Sequence, residues 1–228
     1  MNEITLSPSL PRSTTLIRVL GIVATLSGLL IVTVQQLTQP LIEANKQRSV
    51  ERAIFQILPS AKTRQTFMVA GGSLQPWPGA PSNAELVHAA YDAHGQLVGV
   101  ALEAAAQGYQ DTVRLLYAFD PQQQCIIGFS VLKSAETPGL GTKISTDPDF
   151  LANFQCLDAR VNERGDGLHQ PIQTVKHGTK QHPWQIDAIS GATVTSKAVG
   201  KMLNDSGQRL HPIVMRHLEL LRAAGQQR

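Results

Sequence analysis

The feature that most constrains this chain is an uncharged apolar run near its start. From Val19 to Val34 it reads VLGIVATLSGLLIVTV, and no charged residue occurs between Arg18 and Glu43. With its uncharged flanks the run reaches the roughly 20 residues needed to cross a hydrocarbon core of about 30 Å. A cleaved signal peptide would show a small-residue cleavage site after the run; the sequence continues QQLTQPLIEANKQ instead. A soluble core helix would show polar punctuation at helical spacing. We therefore read residues 16–38 as a transmembrane helix behind a tail over 1–15. Charge does not orient it, because Arg12 and Arg18 precede the span while Lys46, Arg48 and Arg52 follow it, diluted by Glu43 and Glu51.

Residues 39–82 read as a juxtamembrane helix and linker. Leu41 to Leu58 places Val50, Ile54 and Ile57 or Leu58 on one face, and Pro59 ends it. AGGSLQPWPGAPS (70–82) is dense in Gly and Pro and reads as a loop before the compact domain, 83–228. Within that domain ELVHAAYD and QLVGVALEA flank the turn signal Ala93-His94-Gly95. TVRLLYAFD and CIIGFSVLK flank Pro121-Gln122-Gln123-Gln124, a second hairpin. DPDFLANF predicts a short helix with Asp147 as N-cap and Pro148 at the first helical position. PIQTVK and WQIDAI read as further strands. The chain is helical from Val194 to Ala224, and Gly207 and Pro212 predict two helices there. The fold class is α+β, an antiparallel sheet with packed helices behind a single N-terminal transmembrane helix.

Composition removes several functions. A formal net charge of +3 without any Lys/Arg block, and aromatics at 5%, give no nucleic-acid surface. The histidines (His88, His94, His169, His177, His182, His211, His217) form no pair at metal-ligand spacing, so no metal site is expected. Cys125 and Cys156 stand alone and read as small buried hydrophobes, with a disulfide open to them in an oxidising compartment.

Two segments carry chemistry. Glu136-Thr137-Pro138-Gly139-Leu140-Gly141-Thr142 follows a predicted strand, and its glycines leave backbone N–H groups able to lie against a ring or an anion. A plain turn is the simpler reading of the Gly-Leu-Gly alone. In the second, a strand ends at Ile189 and a helix begins within a few residues, through Ser190-Gly191-Ala192-Thr193-Val194-Thr195. Free N–H groups at such a junction form an anion site reinforced by the helix dipole. Helix capping by Ser or Thr is the simpler reading of that segment alone.

Taken together, Asp187 with Ser190-Gly191-Ala192-Thr193 resembles the flavinylation motif of the FMN-binding domains of the Rnf and Na⁺-translocating NADH:quinone reductase complexes. ETPGLG (136–141) resembles the family's second signature. The likeness covers nearly the whole chain, and Arg48 to Ala61 (RSVERAIFQILPSA) is similar to the G subunit of the Rnf type. The resemblance implies one FMN joined through its phosphate to Thr193, with Thr195 the near alternative and Asp187 serving the modification. It implies contacts to the cofactor from Ser190, Gly191, Ala192, Thr195, Glu136, Thr137, Gly139, Leu140, Gly141, Thr142 and Lys143, with Tyr109 at the border. It implies a flavin transferase during maturation, neighbouring membrane subunits, lipid around the span, and a periplasmic domain on the bacterial inner membrane. The role implied is electron transfer within an ion-translocating ferredoxin/NAD⁺ oxidoreductase, with no catalytic residue of the chain's own. The alternatives are a component like the C subunit of the sodium-pumping quinone reductase, and a structural assembly protein without flavin. A soluble flavin reductase is disfavoured, since no GxGxxG follows a strand. Where the family often has His two residues before the glutamate, this chain has Ser134.

Overall fold

The computed structural model describes residues 13–79 and 84–226. The first twelve residues of the expected tail, and the end of the expected linker, lie outside these. The chain divides into two compact units, one up to Gln47 and one from Arg48 onward.

In the first unit the apolar run is helical and its side chains, among them Leu20, Val23, Leu30 and Ile31, are exposed. The helix is long and apolar enough to cross a membrane. A boundary between a span and a separate juxtamembrane helix is not seen: α1 runs unbroken over Ser13–Ile57, through Pro40. Proline costs an interior helix one backbone hydrogen bond, and here the helix-forming residues on both sides carry the element past it.

The second unit is built on a seven-stranded antiparallel sheet, β1 Thr63–Ala70, β2 Ser73–Pro76, β3 Leu86–Tyr91, β4 Leu97–Gln107, β5 Thr112–Asp120, β6 Cys125–Lys133 and β7 Leu157–Asp158. The spatial order is β2-β1-β3-β4-β5-β6-β7. Residues 63–76 thus belong to the sheet, not to a linker. Gly71 and Gly72 stand at φ +58° and +80° between Ala70 and Ser73, which pair. Two positive φ values in a two-residue connection are what a tight hairpin turn requires, and glycine supplies both without strain. The Gly density that reads as a linker is a hairpin.

Both faces of the sheet are covered. On one, Val50, Ala53, Ile54 and Leu58 pack on Ala90, Ala101, Leu116 and Ala118. On the other lies α3, Thr193–Arg216, whose Val199, Met202, Leu203, Leu210 and Val214 meet Val100, Leu102, Leu115, Tyr117 and Phe119. The helix runs through both Gly207 and Pro212, which are buried, so the expected break falls later, at His217, before α4, Leu218–Gln226. Packing overrides propensity here: Gly207 lets Leu168 approach to within 3.2 Å of where a Cβ would stand. The same helix carries Ser206 and His211, which share the buried Tyr117 hydroxyl at 3.0 and 3.2 Å.

Between the sheet and α3 the chain forms a 3-10 turn at Gly141–Ser145, α2 over Pro148–Ala152, and a parallel pair, β8 Gln173–Val175 and β9 Gln185–Asp187. Asp147 caps α2 as the sequence predicts, accepting from Phe150 N–H at 3.0 Å. Cys125 and Cys156 are joined in a disulfide, Cα–Cα 5.2 Å. This corrects the reading of two buried hydrophobes, since Cys125 is buried but Cys156 is exposed.

Candidate functional site

Three stretches distant in sequence meet at one carboxylate. Glu136 is only 4% exposed. Its Oε1 accepts from Gln110 N–H at 3.0 Å, and its Oε2 accepts from the Thr195 hydroxyl. Glycine stands on either side: a Cβ on Gly108 would lie 2.5 Å from Oε1, and one on Gly141 would lie 2.5 Å from Oε2. No larger residue fits at either position without moving the carboxylate. The signature loop closes on itself through Leu140 N–H to Thr137 O (3.2 Å) and Gly139 N–H to Thr142 Oγ1 (3.0 Å).

The second segment is a turn feeding a helix. Ala192 N–H bonds Ile189 O at 3.1 Å, and Gly191 has φ +83°, the value a type II turn needs at its third residue. Ser196 reaches back to fasten this turn: its Oγ accepts from Ile189 N–H and donates to Ala192 O, at 3.1 and 3.0 Å. Helix α3 starts at Thr193 with Ala192 as N-cap and no side-chain cap. None of Ser190, Thr193 or Thr195 therefore plays the capping role that sequence offers. Among the described residues, the N–H groups of Thr193, Val194 and Thr195 have no backbone acceptor, so the positive end of a 24-residue helix faces outward uncompensated.

The two threonines differ in availability. Thr195 is 2% exposed and its hydroxyl is committed to Glu136. Thr193 is exposed, and its hydroxyl makes no hydrogen bond among the described residues. It opens on a cleft of about 370 Å³ lined by Tyr109, Glu136, Thr137, Leu140, Gly141, Gly191, Ala192, Thr193, Val194 and Thr195. That size lies within the range of about 300–1,000 Å³ for small-molecule sites. Tyr109, Leu140 and Val194 are 70%, 48% and 52% exposed, an apolar rim beside a hydroxyl and an anion-attracting helix end.

Ser190 and Lys143, expected among the cofactor contacts, and Asp187, expected to serve the modification, line a separate cleft beyond the turn, with Asp147, Asp149, Phe150 and His177. The Asp187 carboxylate accepts from Gly178 N–H at 2.8 and 3.0 Å and lies 3.5 Å from His177 Nδ1. The turn at 189–192 reverses the chain, so sequence neighbours separate in space. Gly139 and Thr142 shape the loop instead of lining the cleft. Ser134 accepts from Glu136 N–H at 3.2 Å and serves the same loop. Sequence reasoning missed Gly108, Gln110, Val194 and Ser196; only the Gly108-Tyr109 pair offered a signal.

An antiparallel sheet backed by one long helix, with a free threonine and unsatisfied N–H groups at that helix's start, makes a domain whose cleft offers an anion site beside an apolar rim. The FMN-binding domain family matches residues 108–207, which contain every residue of the cleft. The chain is 33% identical to the G subunit of the ion-translocating oxidoreductase complex of Methanosarcina acetivorans, over 73% of this chain and 76% of that one. It is 27% identical to the G subunit of the proton-translocating ferredoxin:NAD(+) oxidoreductase complex of Clostridium ljungdahlii, over 84% and 88%. The crystal structure of Shewanella oneidensis NqrC shares the fold, with TM-score 0.59 at 19% identity over 79% of this chain and 99% of that one. The chain belongs to the family of G subunits of ion-translocating oxidoreductase complexes.

Proposed function

We propose that this chain carries one FMN as a phosphate ester of Thr193 and serves as an electron-transfer station in a membrane complex of the Rnf type. The observation that carries the reading is the free, exposed Thr193 hydroxyl at an uncapped helix start beside an apolar rim. The N–H groups of residues 193–195 and the helix dipole would hold the phosphate. Leu140, Val194 and Tyr109 would border the ring, and Thr137 offers it a hydroxyl. When bound, FMN supplies one- and two-electron chemistry. The residues of the chain orient it and fix its surroundings.

Attachment requires a flavin transferase and FAD. The Thr193 oxygen forms a bond to the FMN phosphorus, the pyrophosphate bond to adenylate breaks, AMP leaves, and the hydroxyl proton is released. The disulfide supports a domain outside the reducing cytoplasm, with α1 spanning the inner membrane from a cytoplasmic N-terminus and lipid around its exposed apolar side chains. The partners are then the other subunits of the complex, which in the Clostridium ljungdahlii relative is a proton-translocating ferredoxin:NAD(+) oxidoreductase.

The test is flavin fluorescence in denaturing gels, with wild type and Thr193→Ala each co-expressed with a flavin transferase. Wild type is expected to give a fluorescent band that Thr193→Ala lacks. No band in either sinks the reading and promotes a structural assembly role; a band in both moves the ester to another hydroxyl.

A further inference from the structure

Strand β9, which delivers the chain into the Ile189–Ala192 turn, has only three residues and pairs with β8 on one side. At Asp187 its other edge is met, among the described residues, by one side chain. Asn153 Oδ1 accepts from Asp187 N–H at 3.0 Å, and Asn153 Nδ2 donates to Asp187 O at 3.3 Å. One amide thus stands in for one residue of an absent neighbouring strand, binding both polar groups of the same peptide position.

The amide's own orientation is fixed twice over. Lys180 Nζ, which can only donate, lies 3.0 Å from Oδ1. Phe150 O, which can only accept, lies 2.9 Å from Nδ2. Asn153 is 5% exposed, so these bonds do not compete with bulk water. Its backbone is equally constrained. It follows α2, whose Phe150 packs with Phe154 and Phe129 at ring-centroid distances of 5.4 and 6.3 Å. Three residues later Cys156 is tied to β6. An apolar cluster and a covalent bond therefore converge on one amide, and that amide holds the strand from which the acceptor turn departs. On the far side of the turn Ser196 performs the matching task.

We infer that Asn153 is a positioning residue for flavin attachment: it sets the path of β9 and, through the turn, the presentation of the Thr193 hydroxyl. The inference rests on Thr193 being the acceptor. Asn153 touches neither the cleft nor the reacting atoms, so its removal alters how often the hydroxyl is in line for attack and not whether a transferase can engage the chain.

The full-length chain, purified flavin-free in detergent, is incubated with purified flavin transferase, FAD and Mg²⁺, and the initial rate of band fluorescence is measured against chain concentration. All variants are assayed well below their melting temperatures. Asn153→Ala is expected to lower the limiting rate at least tenfold, to leave the half-saturating concentration within twofold, and to place the eventual flavin still on Thr193, as read by peptide mass. Asn153→Asp, which keeps the acceptor oxygen but loses the donor, is expected to fall between Ala and wild type, and it decides the matter should Asn153→Ala fail to fold. A simple loss of folded fraction would raise the half-saturating concentration and spare the limiting rate; that result, or unchanged kinetics in both variants, overturns the inference while leaving Thr193 in place. A wild-type chain that takes no flavin overturns the Thr193 reading, and this one with it.

Discussion

Replacing Thr195 by valine separates the two threonines of the acceptor segment by their physics. Valine matches threonine in shape, so the change removes one hydroxyl and little else. That hydroxyl is a donor to Glu136 Oε2, in a carboxylate that is 4% exposed. Gln110 N–H still serves Oε1, but Oε2, on a nearly buried side chain, loses its hydrogen-bond partner among the described residues. An unsatisfied buried acceptor costs about 1–3 kcal/mol, and more for a charged group. At about 2–4 °C per kcal/mol for a unit of this size, the melting temperature should fall by roughly 2–12 °C. Thr193→Val removes an exposed hydroxyl that bonds nothing among the described residues. Its effect should lie within about 0.5 kcal/mol, as for surface changes in general. Circular dichroism melts of the flavin-free full-length chain in detergent compare the three proteins directly. The same samples, offered FAD and a transferase, should show flavin on Thr195→Val and none on Thr193→Val. If Thr195→Val melts with wild type, or Thr193→Val melts below it, Glu136 is not held as described, and availability is no guide to the acceptor.

Three further outcomes are expected. Gly141→Ala, whose new methyl would meet Glu136 and Thr195 at 2.5 to 2.9 Å, should destabilise by about 1–3 kcal/mol and weaken flavin fluorescence anisotropy; an unchanged melt would show that the carboxylate has room to move. Reducing the Cys125–Cys156 disulfide, which spans 31 residues of sequence, should cost about 4 kcal/mol by loop-closure entropy, read as a lower melting temperature in dithiothreitol for wild type but not for a Cys125→Ser/Cys156→Ser variant. Burial holds His88, helped by the Arg64 charge, and His211 at pKa values of about 4 against the usual 6.5. The folded pKa is depressed, so each neutral ring contributes stability that is full above pH 6.5 and is lost as pH falls towards 4, roughly 3 kcal/mol apiece; His211→Gln should flatten the melting curve across that window.

Much of this architecture was legible because local chemistry and tertiary structure agree. The β3–β4 connection is one case: Asp92 Oδ1 accepts from His94 and Gln96 N–H at 2.8 and 2.9 Å, so the turn residues seen in sequence are the ones that make the turn. Asp147 and Pro148 likewise start α2 by contacts within one turn of helix. The errors fall where distant residues decide. Gly207 and Pro212 look like helix breakers, yet the contacts of α3 with the sheet carry the helix across both. Gly71-Gly72 carries the composition of a linker, and the pairing of β1 with β2 and β3 makes it a turn within the sheet. At the candidate site, the motif pointed to Thr193 and the loop at 136–141, which the fold brings to one cleft. It could not give the division into two clefts, because spacing along a chain does not show that the turn at 189–192 sends Asp187 and Thr193 to opposite sides. Nor could it show Asn153, whose hydrogen bonds reach residues 27 and 34 positions away.

The carboxylate of Glu136 also governs how the cleft can respond to a change of charge. It is a shared abutment for the turn at 108–110, the loop at 136–141 and the first turn of α3, with the two glycines shutting off lateral play. A shift of any one of these walls disturbs a bond that Glu136 makes to another. A redox centre seated against such a frame finds dipoles that are already set and do little rearranging when an electron arrives or leaves. Small reorganisation of this kind favours rapid passage of electrons in both directions, which suits a relay between partners better than it suits a terminus where chemistry is completed.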